Sequence, residues 1–124
     1  MVTKKYFFDS YALIELTKSN PKYVPYLDYQ IIISLFNLVE FTYSVFLDYG
    51  ESKSREIYKQ FNDCVVEINE EVILEALKFR REHHKKDLSY ADCMGYIYAR
   101  KNGLLFLTGD EQFRDFPGVE FVKK

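Results

Sequence analysis

Four acidic residues, Asp9, Glu40, Asp92 and Asp110, occupy positions that are hard to explain as ordinary surface charge. Asp9 closes the apolar run Tyr6-Phe7-Phe8, Glu40 is flanked by Leu38, Val39 and Phe41, Asp92 lies between Ala91 and Cys93, and Asp110 follows Leu107-Thr108-Gly109. Carboxylates gathered at one place raise each other's pKa and weaken a fold unless a cation stands among them. An all-oxygen set selects hard ions such as Mg²⁺ or Mn²⁺, and no Cys/His pattern here has zinc spacing. In two-metal phosphodiester hydrolysis the ions sit roughly 3.5–4 Å apart, one activating water and the other stabilising the leaving oxygen, and four acids suffice to hold them.

Each acid also has a local explanation. Asp9 fits a helix N-cap, Ser89-x-x-Asp92 fits a capping box, and Asp110 fits the start of a short turn before Phe113. Glu40 among apolar neighbours calls for a partner, either a metal or the salt bridge of an Arg or Lys. Their joint placement favours the metal. Thr108 is the best non-acidic candidate, with a hydroxyl suited to hold a bound water or orient Asp110, whereas Cys64 and Cys93 read as small core hydrophobes. The run Arg80, Arg81, His83, His84, Lys85 and Lys86 suits a helix C-terminus, or the phosphates of a polyanionic ligand; its adjacent histidines lack the spacing for a shared metal. Asp87 reads as a loop residue, and Phe36, Tyr43 and Phe46 as core or a subunit contact.

The elements that must position these residues follow from hydrophobic patterning. Short β-prone runs occur at residues 6–8, 31–33, 64–68, 104–107 and 119–122, with helical-period segments filling most of the spaces between them. Ser34 is expected to cap a helix that runs to Tyr49 and stops at Gly50, and Ser89 one that runs to Asn102 and stops at Gly103. Residues 51–62 and 69–84 also read as helical. Runs 31–33 and 104–107 are apolar without alternation, as befits strands covered on both faces. The expected fold is therefore α/β, a three-layer α/β/α sandwich around a mostly parallel sheet of four to five strands. Ligands of such sheets bind beyond the carboxyl ends of the strands, which is where Asp9 and Asp110 fall, with Glu40 and Asp92 in the helices that follow.

Composition narrows the classes. The 124 residues carry 48% apolar side chains, enough for one core, and show no repeat or linker, so residues 1–124 are expected to form a single domain. A net charge of −2 argues against a broad basic surface, so a polyanionic substrate needs help from cations. Two distant cysteines, no secretory signature and no long apolar span point to a soluble, cytoplasmic protein.

Four segments together resemble the acidic motifs of the PIN domain, in order: Phe7-Phe8-Asp9-Ser10-Tyr11-Ala12-Leu13-Ile14, Ile33-Ser34 followed by Glu40, Leu88-Ser89-Tyr90-Ala91-Asp92, and Leu107-Thr108-Gly109-Asp110-Glu111-Gln112-Phe113. The resemblance covers nearly the whole chain, and in size it is nearest the VapC-type toxins. It implies a metal-dependent ribonuclease in which Asp9, Glu40 and Asp92 hold the principal Mg²⁺ or Mn²⁺ and Asp110 serves a second ion or its water. Cleavage would leave 5′-phosphate and 3′-hydroxyl ends. It further implies an RNA substrate, a small antitoxin encoded beside the toxin, and a homodimer. Tyr11, Asn37 and Cys93 depart from the residues usual in the family; none removes a carboxylate, but Tyr11 stands to crowd or stack in the substrate entrance. The rivals are a PIN fold kept as an inactive interaction module and a standalone RNA-processing nuclease. A haloacid-dehalogenase-type phosphatase would need Asp-x-Asp where this chain has Asp9-Ser10-Tyr11, and a response-regulator receiver would need an acid that Val66-Glu67-Ile68 does not offer after a third strand.

Overall fold

The structure is a computed structural model that describes residues 4–124. Its strands are β1 (Tyr6–Phe8), β2 (Ile31–Ser34), β3 (Val65–Val66), β4 (Leu105–Thr108) and β5 (Val119–Phe121). Its helices are α1 (Ser10–Thr17), α2 (Leu35–Tyr49), α3 (Glu51–Phe61), α4 (Glu70–Glu82) and α5 (Tyr90–Lys101). The strands form one sheet in the order β3-β2-β1-β4-β5, with every neighbouring pair parallel. This is the expected α/β/α sandwich.

Alternation along the strands builds two cores. Tyr6, Phe8, Ile33 and Leu107 point to the face covered by α1, α2 and α3, where they meet Leu13, Leu38, Phe41 and Ile57. Phe7, Ile32 and Phe106 point to the other face and meet Ala76, Met94, Tyr96 and Phe113 from α4, α5 and the turn after β4. Each fully buried Phe contributes roughly 1.5–3 kcal/mol of transfer free energy, so the paired rings of Phe7 and Phe106, 5.9 Å apart and nearly parallel, are a principal anchor of the second face.

Helix ends match the sequence reading. Ser34 caps α2, Ser89 caps α5 and Asn69 caps α4, each accepting a hydrogen bond from the backbone N–H three residues on. Gly50 and Gly103 take positive φ at the two expected stops. Run 64–68 departs from expectation: only Val65 and Val66 pair, because their neighbour β2 gives way to α2 after Ser34 and leaves residues 67–68 without a strand to bond. The fourth strand lies one residue later than expected, which places Thr108 within the ladder opposite Phe121. Patterning gave no sign of the 3₁₀ turn Val24–Asp28, which sets Tyr26 and Tyr29 edge-on against Tyr6.

Candidate functional site

Parallel strands β1 and β4 are central neighbours, so their carboxyl ends deliver Asp9 and Thr108 side by side. Asp9 is 2% exposed and Thr108 is fully buried. The Thr108 hydroxyl donates to Asp9 Oδ2 in a short hydrogen bond, and the Tyr11 N–H donates to Oδ1 at 3.1 Å. Thr108 Oγ1 in turn accepts from the Asp110 N–H at 3.1 Å, so one hydroxyl ties both acids to the end of β4. Gly109 between them lacks a side chain for a steric reason: a Cβ there would come within 2.5 Å of the Tyr23 hydroxyl and 2.8 Å of the Val122 carbonyl, with the Tyr11 ring closing the third side.

Glu40 reaches the rim from the second turn of α2. Ser10 Oγ donates to Glu40 Oε1 at 2.8 Å, Asn37 Nδ2 donates to Ser10 Oγ at 3.2 Å, and Ser34 Oγ donates to Asn37 Oδ1 at 2.5 Å. Ser34 and Asn37 are fully buried, so this chain of dipoles fixes the direction in which Glu40 points. Sequence reasoning noted Asn37 only as a departure and missed Ser10. The usable signal was spacing, because Asn37 and Glu40 lie three apart on one helix face and Ser10 adjoins Asp9.

All four acids have local structural bonds, as their alternative readings anticipated. Asp9 caps α1, Asp92 closes a capping box with Ser89 through bonds of 2.9 and 3.0 Å, and Asp110 accepts from the Gln112 N–H at 3.0 Å. A cap, however, needs neither burial nor acidic company. Asp9 is pushed up to about 8, first by burial and then by the charge of Asp92, with Asp110 adding to the rise against the lowering bonds from Thr108 and Tyr11. Asp92 is pushed up to about 6, mainly by burial, with Glu40 and Asp110 raising it further. Asp9 thus lies in the fields of Asp92 and Asp110, and Asp92 in those of Glu40 and Asp110. Among the described residues none of them forms an ion pair with a Lys or Arg.

As the side chains stand, no group of three His, Cys, Asp or Glu among the described residues already forms an ion cage. The oxygens of the four acids are nevertheless of the chemical type that hard divalent ions take. Glu40, Asp92 and Asp110 each commit one oxygen to a named protein donor, leaving the other carboxylate oxygen without one among the described residues, and Asp9 keeps further lone pairs on both of its oxygens.

The other candidates sort clearly. Cys93 is buried and its thiol is pushed up to about 12 by that burial, which makes it an inert core residue, and Cys64 is half-buried and also unbridged. His83 packs on Phe79 and Phe116 at 4.5 and 4.9 Å between ring centres. Tyr11 lies against Tyr23, 6.4 Å between centres, beside the acids. Phe36, Tyr43 and Phe46 are exposed on α2 and are not core. Among the described residues no helix is long and apolar enough to cross a membrane.

Fold and rim together define a parallel α/β protein with an acidic centre at the carboxyl edge of its sheet. The chain belongs to the PIN domain family, whose model matches residues 6–119. Among solved structures it is similar to a toxin-antitoxin complex from Klebsiella pneumoniae, at 21% identity and a TM-score of 0.75, covering 98% of this chain and 100% of that one. It is also similar to the sarcin-ricin-loop-cleaving toxin VapC20 of Mycobacterium tuberculosis, at 16% identity and a TM-score of 0.79 over 97% of this chain and 100% of that one. The DNA-bound VapBC of Salmonella typhimurium matches at 15% identity and a TM-score of 0.70, with 98% of each chain covered. No curated protein sequence matches the chain significantly.

Proposed function

We propose that residues 1–124 act as one nuclease domain, a Mg²⁺- or Mn²⁺-dependent endoribonuclease serving as the toxin of a toxin-antitoxin pair in the cytoplasm. The observation that carries this is the Asp9 carboxyl, raised first by its burial and then by the charges of Asp92 and Asp110, and left without any basic partner among the described residues. Hydrogen bonds from Thr108 and Tyr11 offset only part of the cost of burying this group beside other acids, and a bound cation would offset the rest. The similar structures named for toxins, one of them cleaving the sarcin-ricin loop, support RNA as the substrate.

Asp9, Glu40 and Asp92 would hold the principal ion and Asp110 a second ion or its water. When bound, Mg²⁺ or Mn²⁺ would supply charge stabilisation at the phosphate and a water acidic enough to act as nucleophile at neutral pH. The chain's own contribution is orientation. Thr108 holds the Asp9 carboxylate and the Asp110 backbone in fixed relation, and Ser10 holds Glu40, as outer-shell partners do for metal-binding carboxylates. Burial, then the charges of Asp92 and Asp110, raise the Asp9 carboxyl to about 8, and a bound cation would favour its ionised form. The exposed apolar side chains Val39, Tyr43, Phe46 and Leu47 along α2 favour a protein partner, either a small antitoxin or a second copy of the chain.

The test is cleavage of defined single-stranded RNAs with Mn²⁺, with and without EDTA, by wild-type protein and Asp9→Asn. Cleavage that EDTA and Asp9→Asn both abolish, leaving 5′-phosphate ends, supports the reading. Absence of cleavage by the wild type, with Asp9→Asn matching it in cells, would favour an interaction module.

A further inference from the structure

We propose that the basic pocket between the end of α4 and the start of α5 holds the backbone of a single-stranded RNA beside the acidic rim, with Tyr90 as the platform for one base; this rests on the nuclease reading. The pocket, about 340 Å³, is lined by Leu77, Arg80, Arg81, His84, Lys86 and Tyr90. The chain as a whole is acidic, at −2, so this concentration of cations is local. Among the described residues Arg80, Arg81 and Lys86 pair with no carboxylate, and what distinguishes them from other unpaired surface cations is that they line one concavity together with His84. Cations left without partners and gathered in a concavity are suited to an anionic ligand.

A helix end alone does not account for them. Arg80 turns away from the last carbonyls of α4: its Nε donates to the Leu88 carbonyl at 3.0 Å, and its guanidinium lies 4.3 Å from the centre of the Tyr90 ring. Lys86 lies beyond the helix altogether. Tyr90 remains 56% exposed with the guanidinium over its ring. An aromatic ring backed by a guanidinium and flanked by Arg81 and by Lys86, whose ammonium lies 5.4 Å from the centre of the Phe116 ring and meets no carboxylate, matches a ligand that alternates flat rings with single negative charges, which is single-stranded nucleic acid. An acidic peptide would satisfy the charges and leave the ring unused.

The pocket is also tied to the acids through the chain. Tyr90 and Asp92 share the first turn of α5, although side chains two residues apart leave a helix on different sides. On the other side Gln112, two residues past Asp110, grips the backbone of Asp87: Gln112 Oε1 accepts from the Asp87 N–H at 2.5 Å and Nε2 donates to the Asp87 carbonyl at 2.8 Å. The basic loop is thereby pinned to the turn that carries Asp110.

The probe is a fluorescein-labelled single-stranded oligoribonucleotide, titrated with the full chain in EDTA over a salt series and followed by anisotropy. Arg81→Ala and Lys86→Ala are each expected to weaken binding and to lower the slope of log Kd against log salt by about 0.7, the value for one phosphate contact on a single strand. Tyr90→Ala is expected to weaken binding about tenfold with the slope unchanged, and Tyr90→Phe to recover most of that loss. With Mn²⁺ the same losses fall on KM. Lys53→Ala on α3 serves as the control, and thermal melts confirm that the variants fold. If wild type cleaves RNA while Arg81→Ala, Lys86→Ala and Tyr90→Ala keep its affinity and salt slope, the pocket is not the RNA seat and the nuclease reading stands. If a polyglutamate peptide competes as well as unlabelled RNA, the base platform is wrong. Failure of the wild type to bind or cleave RNA overturns both proposals.

Discussion

Replacing Asp9 with Asn should make the metal-free protein more stable at neutral pH, although it alters a buried, hydrogen-bonded residue. In the folded protein the carboxyl is raised from 3.8 to about 8. The native state therefore binds a proton that the unfolded chain has released, and linkage makes stability fall as pH rises between those two values. Stability from this group is complete below about pH 4 and is lost as pH climbs through 8, at about 1.4 kcal/mol per pH unit in between. From pH 5 to pH 7 the loss is on the order of 3 kcal/mol, or roughly 10 °C in Tm for a chain of this size. Asp92, raised to about 6, steepens the lower part of the same window. Asn keeps the cap on α1 by accepting from the Tyr11 N–H, while its Nδ2 replaces the oxygen that accepts from Thr108 and must donate to Thr108 Oγ1 instead, so the variant removes the charge and reorients one hydroxyl, and the pH dependence is the readout of the charge. Thermal melts in EDTA at pH 5, 6, 7 and 8 should show a Tm that declines for wild type and stays nearly level for Asp9→Asn, with the variant higher at pH 8. Saturating Mg²⁺ should return about 3 kcal/mol to the wild type at a hundredfold excess over Kd and little to the variant. A wild-type Tm that is flat or rising from pH 5 to 8 without metal, or a variant less stable at pH 8, would refute the reasoning.

Other perturbations have equally definite outcomes. Ser10→Ala removes the donor to Glu40 and strands Asn37 Nδ2, so Mn²⁺ affinity measured by calorimetry should fall about 10- to 100-fold, as for the loss of other outer-shell partners. Gly109→Ala forces a methyl against the Val122 carbonyl and the Tyr23 hydroxyl, neither of which can yield freely; urea unfolding should show a loss of about 1–3 kcal/mol, and RNA cleavage should drop with it. Phe106→Ala empties the centre of the second core and should cost about 3–5 kcal/mol in urea unfolding.

The sheet was readable from sequence wherever apolar runs were bounded by caps. Ser34, Ser89, Gly50 and Gly103 mark helix ends by backbone chemistry that does not depend on distant contacts. Residues 67–68 were misread because a strand needs a neighbour, and the end of β2 at Ser34 is a tertiary fact. Phe36, Tyr43 and Phe46 have the composition of core yet lie exposed, because α2 turns Leu38, Phe41 and Val45 inward instead. The positions of the four acids followed from strand ends and helix turns, whereas what orients them did not. The Ser34-Asn37-Ser10-Glu40 chain joins two segments some thirty residues apart, and the Gln112–Asp87 clamp joins two others. Only the Asn37–Glu40 spacing within α2 leaves a periodic trace; the contacts between the segments leave none.

The central claim is that these mutually repelling carboxylates exist to hold a divalent cation. Calorimetric titration of Mn²⁺ into metal-free protein at pH 7, in two buffers of different ionisation enthalpy, tests it most directly. Wild type should bind with release of about one proton, that of Asp9, and Glu40→Gln combined with Asp92→Asn should show no binding. Equal Mn²⁺ affinity in the wild type and the double variant, or no binding by either, would contradict it.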